Sequence, residues 1–164
     1  PEYPMIRDRR PPSAHHVRTA SGPMIGSLQA LLLAFPVALF PAALVSDITY
    51  LNTAEMQWSN FSAWLLAGGE LFTGLLLIGA FVTLVRSGRS GYGGRALIYF
   101  LVVLLLFAVG LVNSFQHSRD AWWSVETLGL VLSVAGALLA LVAGFIGYSA
   151  RAAHEVVHDR EIAR

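Results

Sequence analysis

The sequence contains neither cysteine nor lysine, and only 13% of its 164 residues are charged. Without cysteine the chain cannot form disulfides, thiolate metal sites, c-type haem attachments or cysteine nucleophiles. Without lysine, all 11 basic residues are arginines, and the formal net charge is +1. Because 55% of the chain is hydrophobic, little length remains for a soluble domain that could carry chemistry. Any localised function should therefore lie within the apolar segments.

Four long apolar runs occupy most of the chain. The run at about residues 61–85 is long enough to cross a hydrocarbon core of about 30 Å, because a helix rises about 1.5 Å per residue. We therefore predict an all-α integral membrane protein, a bundle of four transmembrane helices. The predicted spans are about 25–48, 61–85, 96–115 and 125–148. They divide the chain into an N-terminal tail (1–24), a transmembrane domain (25–148) and a C-terminal tail (149–164).

The arginines predict the orientation of these spans. They precede span one, lie between spans two and three, or follow span four, and Arg119 alone falls on the other side. Cytoplasmic segments carry an excess of basic residues, so both termini are predicted to be cytoplasmic. The connection RSGRSGYGGR (86–95) then faces the cytoplasm. We expect a multi-pass protein of the bacterial cytoplasmic (inner) membrane.

Three acids fall within the predicted spans, and one of them, Glu126, stands at the start of span four. Glu70 lies in the middle of span two, where a charged side chain costs at least about 2.5–3.5 kcal/mol. We expect a structural hydrogen bond from Glu70 to Asn113, Gln116 or a tyrosine hydroxyl, and a proton or ion relay is the alternative. Asp47 lies near the outer end of span one, where we expect a solvated helix-end acid, with a functional role as the alternative.

Small residues recur at spacings of about four or five in spans two and four. Residues of this size let helix backbones approach closely inside a membrane. We expect them to pack within the bundle, with dimerisation as the alternative. The positions that we single out are Gly69, Gly74, Gly136, Ala140 and Gly144.

The four tryptophans fall toward the predicted outer boundary of the membrane: Trp58, Trp64, Trp122 and Trp123. An indole ring suits this interface because one end is apolar and the other can donate a hydrogen bond. We interpret the set as an aromatic belt. Stacking against a quinone or pigment is the alternative.

Histidines offer two candidate ligand sites. His154 and His158 form an HExxH string, which on a helix brings both imidazoles to one face for zinc. The string stands in a short tail with no cleft-forming segment after it, so we interpret it as a chance match. His117 is the one histidine near the membrane; because a bis-imidazole haem needs two, it could only be a single ligand to a haem or pigment.

Within span one, LQALLLAFPVALFPAALVSDI resembles the opening segment of the bacterial membrane family catalogued as domain of unknown function twenty-two thirty-one. Its usual pattern is His-Pro-x-x-x-His-Phe-Pro, then an apolar run and an aspartate. The fitting residues are Phe35, Pro36, Pro41 and Asp47, whereas the histidine places hold Gln29 and Ala34 and the first proline place holds Ala30. The resemblance implies four spans and an accessory membrane role, since some members are encoded near cytochromes or periplasmic dehydrogenases.

From these observations we expect a non-enzymatic accessory or scaffolding subunit that packs against a larger membrane complex, with an electron-transfer complex as one class. A small proton- or ion-coupled transporter or channel using Glu70 is the alternative. The expected partners are membrane lipids and a larger complex or further copies of the chain, and no nucleic acid. The sequence requires no cofactor; lipid, quinone, haem and pigment all stay open.

Overall fold

A computed structural model describes residues 24–87, 93–118 and 125–162, and their side chains up to residue 149. Within these ranges the chain forms four α-helices and no strand. The helices are α1 (Ser27–Thr53), α2 (Met56–Ser87), α3 (Gly93–His117) and α4 (Thr127–Ile162). All four are long and apolar enough to cross a membrane, α4 through its portion Thr127–Ser149. The predicted fold class is confirmed, while the orientation of the termini stays a prediction.

The helices are longer than the predicted spans. α1 continues past residue 48 to Thr53, and α2 begins at Met56, so the predicted connection of 49–60 shrinks to Ala54 and Glu55. Ala54 ends α1 in the left-handed conformation, with φ of 56°, and its N–H donates to the Tyr50 carbonyl. At the other end of the chain, α4 extends through the HExxH string to Ile162. Hydropathy underestimates the length of these helices because their ends are polar.

Each helix packs against two neighbours: α1 against α2 and α4, and α3 against α2 and α4. The bundle is therefore a square in which α1 and α3 stand at opposite corners, as do α2 and α4. Successive helices run antiparallel because short connections join them. The end of the bundle that holds the α1–α2 connection also holds the end of α3 and the start of α4.

Buried residues recur every three or four positions along each helix, the spacing of left-handed bundle packing. In α3 the buried seam reads Tyr99, Val103, Leu106, Gly110, Asn113 and His117. Large apolar side chains instead cover the outside of all four helices. The seams are rich in small and polar residues because lipid accepts apolar side chains as readily as a protein interior does.

Phe40 fills the centre of the bundle. Its ring stands where the other three helices present glycines: an added Cβ would lie 3.1 Å from it at Gly69, 2.8 Å at Gly110 and 2.9 Å at Gly136. Only helices without side chains at these points can close around an aromatic ring on α1. Phe40 thereby sets the distances between the helices at mid-depth.

Candidate functional site

A cluster of buried polar side chains joins all four helices near the α1–α2 connection. We call it the polar cluster, and its members are Asp47 of α1, Ser62 of α2, Asn113 and His117 of α3, and Ser133 of α4. Each residue is less than 10% exposed. Intramembrane ionisable side chains mark functional sites by default, so this cluster is the first candidate.

Asp47 and His117 form the centre of the polar cluster. His117 Nε2 lies 2.9 Å from Asp47 Oδ1, and both side chains are fully buried. The pair crosses the diagonal of the bundle, because it joins α1 to α3. The other carboxylate oxygen, Asp47 Oδ2, accepts a hydrogen bond from the Ser133 hydroxyl, which in turn accepts one from Asn113 Nδ2 at 2.8 Å.

The second ring nitrogen of His117 is also engaged. Nδ1 lies 3.0 Å from the backbone carbonyl oxygen of Asn113, one turn earlier in α3. The Ser62 hydroxyl lies 3.5 Å from Nε2 and donates to the Ala43 carbonyl at 3.3 Å. Both nitrogens therefore already have protein partners, and the hypothesis that His117 is a haem or pigment ligand finds no free nitrogen.

Serine, histidine and aspartate are the residue types of a hydrolase triad, but their arrangement here differs from one. In a triad the serine and the aspartate contact opposite nitrogens of the ring, so that the imidazole can take the hydroxyl proton. Here Ser62 and Asp47 both face Nε2. The cluster therefore does not activate Ser62 as a nucleophile.

The expectation that Asp47 is a solvated helix-end acid was wrong. Asp47 is 0% exposed, because α1 continues for more than a turn beyond it and turns its carboxylate toward α3 and α4. A sequence signal existed: Asp47 follows Phe40 and Ala43 at the seam spacing of three and four. Burial beside Ser133 and His117 could not be derived from one helix alone.

Glu70 lies about two turns deeper than Ser62 on α2, beside Phe40 and Gly110. It is buried, and neither carboxyl oxygen has a hydrogen-bond partner among the described residues. The predicted hydrogen bond between Glu70 and Asn113, Gln116 or a tyrosine hydroxyl is therefore not formed among the described residues, and the Asn113 amide donates to Ser133 instead. Glu70 faces a packed helix contact, since an added Cβ on Gly110 would lie 2.8 Å from its Cδ.

The small residues singled out in the sequence lie against neighbouring helices. Ala140 is fully buried in the cluster around Phe40. An added Cβ would lie 3.4 Å from Phe107 at Gly74 and 2.8 Å from Val37 at Gly144, whereas Gly69 and Gly136 face Phe40. These faces are consequently used within one bundle.

A second group of polar side chains lies at the opposite end of the bundle. Thr83 donates to Gln29 Oε1 at 3.2 Å, and Tyr148 donates to the Ala30 carbonyl at 3.1 Å. Gln29 Nε2 and the Tyr99 hydroxyl are buried without a partner in the described part of the chain. Sequence reasoning missed this group because each helix contributes only one polar residue to it.

The aromatic belt is only partly described. Trp58 is half-buried and stands edge-on to Phe61, with ring centroids 6.4 Å apart, and Trp64 is exposed. Trp122 and Trp123 lie outside the described residues. The side chains of His154 and His158 also lie outside them, although the backbone of their HExxH string belongs to α4.

Comparison with protein families gives a match over most of the chain. Residues 27–160 match the family described as "Predicted membrane protein (DUF2231)". The chain belongs to this family. The match covers all four helices and confirms the resemblance found in span one. No curated protein and no solved structure matches the chain.

Membership in DUF2231 identifies an integral membrane protein, in agreement with the four apolar helices. The two places where the family pattern has histidine differ here in their surroundings as well as their residues. Gln29 is buried in the bundle, whereas Ala34 is exposed on the outside of α1. In this DUF2231 chain the two positions therefore do not face a common site.

Proposed function

We propose that the chain is a non-enzymatic accessory subunit that packs against a larger membrane complex. The observation that carries this proposal is that the reactive side chains of the interior bond to one another. Asp47 forms hydrogen bonds with both His117 and Ser133. Buried side chains that satisfy one another hold helices together, and a substrate would have to displace them. The resemblance to proteins encoded near cytochromes favours an electron-transfer complex as the partner.

The outside of α1 supports lateral association. Ala34 and Ala38 are exposed and Ala42 is half-buried, and their spacing of four places them on one face of the helix. Small residues at this spacing permit close approach of another helix in the membrane. Because no described residue covers Ala34 or Ala38, this face is accessible to a helix from outside the bundle.

Purification of the chain from its native membrane in mild detergent tests this proposal. We expect a complex with other membrane proteins, detected by native mass spectrometry, and we expect Ala38→Phe to release the chain from it. Ala108→Phe is the matched control, because Ala108 is exposed on α3 outside any such row. A chain that migrates alone, or a complex that resists Ala38→Phe and Ala108→Phe equally, contradicts the proposal.

A proton- or ion-coupled carrier is the second candidate, and Glu70 favours it. A carboxylate buried without a hydrogen-bond partner is unstable in a low dielectric, so the carboxylic acid is the form that fits this contact. An acid that must be neutral in one conformation can gain or lose a proton in another. This property is the minimum that coupling to a proton gradient requires.

Proton flux into liposomes distinguishes the two candidates. If the chain is a carrier, Glu70→Gln should abolish flux while the bundle stays intact, and Glu55→Gln, which changes an exposed acid, should leave flux unchanged. If the chain is an accessory subunit, the purified protein should show no flux above empty liposomes.

A further inference from the structure

We propose that the Asp47–His117 pair is a buried proton-binding site, and that its proton holds α1 to α3 across the bundle. This inference does not depend on the proposed function. It rests on the positions of donors and acceptors around the two side chains, which can be assigned one by one.

The surroundings of His117 consist of acceptors. The backbone carbonyl oxygen of Asn113 can only accept a hydrogen bond, so His117 Nδ1 must carry a hydrogen. The Ser62 hydroxyl donates to the Ala43 carbonyl at 3.3 Å, and its oxygen lies 3.5 Å from Nε2, farther away than Asp47 Oδ1. Facing Nε2 at 2.9 Å is the carboxylate oxygen Asp47 Oδ1.

Among the described residues, no other donor replaces that hydrogen at Asp47. Ser133 donates its one hydrogen to Oδ2, and the Asn113 amide donates to Ser133 rather than to Asp47. The carbonyl oxygen of the same amide, Asn113 Oδ1, is buried with no partner among the described residues. The polar cluster thus already contains more acceptors than donors.

One hydrogen must therefore lie between Nε2 and Oδ1. Without it, two lone pairs would face each other at 2.9 Å, and the pair would carry a net negative charge inside the bundle. With it, the pair is neutral overall, whichever of the two atoms holds the hydrogen. The contact between α1 and α3 at this end of the bundle consequently requires a bound proton.

Other groups that could titrate lie apart from the pair within the described residues. α2 contributes Ser62 and α4 contributes Ser133 to the surroundings of the pair, and neither side chain is an acid or a base. Tyr50 is half-buried one turn beyond Asp47, and Glu70 lies deeper on α2. Among the described residues, Glu55 and Glu126 are exposed acids at this end of the bundle.

Solution measurements on the full chain test the site directly. Replacing the four tail histidines (His15, His16, His154 and His158) with glutamine leaves His117 as the only imidazole. Nitrogen-15 spectra of this protein in nanodiscs should show a hydrogen bond between Nε2 and a carboxyl group, lost at alkaline pH. A bare Nε2 from mildly acidic to alkaline pH overturns the proposal.

Distances between spin labels test the consequence for the helices, and the absence of native cysteine allows labels to be placed at will. Labels at Ile48 and Phe115, both exposed, report on the end with the polar cluster, and labels at Leu28 and Ile98 report on the opposite end. Loss of the proton should increase the first distance by about 2 Å, the size of common helix shifts, and leave the second unchanged.

Two variants complete the test. Asp47→Asn supplies an amide hydrogen to Nε2. In this variant the distance between labels at Ile48 and Phe115 should therefore no longer respond to pH. Ser46→Ala is the matched control. Ser46 is buried next to Asp47 in the sequence, and among the described residues its hydroxyl donates to the Ala42 carbonyl of its own helix, so this variant should respond like the wild type. Equal responses in Asp47→Asn and the wild type overturn the proposal.

Discussion

Glycine determines how closely individual residues approach in this protein. At Gly110, the absent side chain admits both the Glu70 carboxyl group and the Phe40 ring to the surface of α3. In a bundle without a hydrophobic driving force between helices, such close contacts supply much of the packing energy. The effect of a substitution should therefore depend on what the added atoms meet.

Gly110→Ala should lower the free energy of unfolding by about 1–3 kcal/mol, the cost of overpacking, because its Cβ would lie 2.8 Å from Phe40. Gly74→Ala is the matched control. Its Cβ would lie 3.4 Å from Phe107, so the better helix propensity of alanine should make the change neutral or stabilising. Unfolding in bicelles measures both, and equal losses would contradict the assigned contacts.

Phe40→Ala should destabilise the bundle toward the lower end of the roughly 3–5 kcal/mol range for Phe→Ala, because it empties the centre between three glycines. The lower end is expected since the unfolded helices remain in lipid, and packing is lost without transfer to water. Phe145→Ala changes a ring that is 77% exposed and should have little effect. Similar losses for the two variants would place Phe40 outside the core.

At the scale of the helices, the sequence predicts how many there are more easily than which faces they bury. Long apolar runs indicate four spans, but lipid and interior are equally apolar, so hydropathy does not distinguish the outside of a helix from its seam. The seam of α3 is recognisable by its small and polar residues, Gly110, Asn113 and His117, at spacings of three and four.

Partners across helices were beyond the sequence. Asp47 and His117 are 70 positions apart, and their contact depends on the square arrangement of the bundle. Ser133 is a small residue within span four, and its hydroxyl gains importance only beside Asp47. One chain without aligned homologues offers no signal that couples such distant positions.

The end of α1 offers a prediction about a single helix terminus. Ala54 adopts a left-handed conformation that glycine tolerates better. Ala54→Gly should therefore raise the free energy of unfolding by about 0.5–1 kcal/mol, whereas Ala38→Gly, in the exposed middle of α1, should lower it by about 1 kcal/mol. Thermal unfolding in detergent measures both, and destabilisation by Ala54→Gly would contradict the described turn.

At the scale of the whole molecule, the distribution of arginines predicts the orientation in the membrane. Arg86 and Arg95 flank the connection between α2 and α3, and both are exposed. We expect this connection in the cytoplasm and the Ala54–Glu55 turn on the opposite side. The structure supplies accessible positions on each side for testing this arrangement.

Single cysteines in this cysteine-free chain provide that test. Gly94→Cys and Glu55→Cys are both exposed, and nothing lies within 4 Å of a Cβ added at Gly94. A membrane-impermeant maleimide applied to intact cells should label the cysteine at residue 55 and spare the one at residue 94. If the maleimide labelled residue 94 and spared residue 55, the predicted topology would be wrong.

Reactive side chains in this membrane protein bind its helices together, and a double-mutant cycle measures that contribution. Unfolding free energies would be measured in bicelles for Asp47→Ala, His117→Ala and the double variant, with Asp47→Ala and Phe145→Ala as the control cycle. We expect a coupling of at least about 1 kcal/mol between Asp47 and His117, and additivity in the control. Additivity of Asp47→Ala and His117→Ala within roughly 0.3 kcal/mol would contradict it.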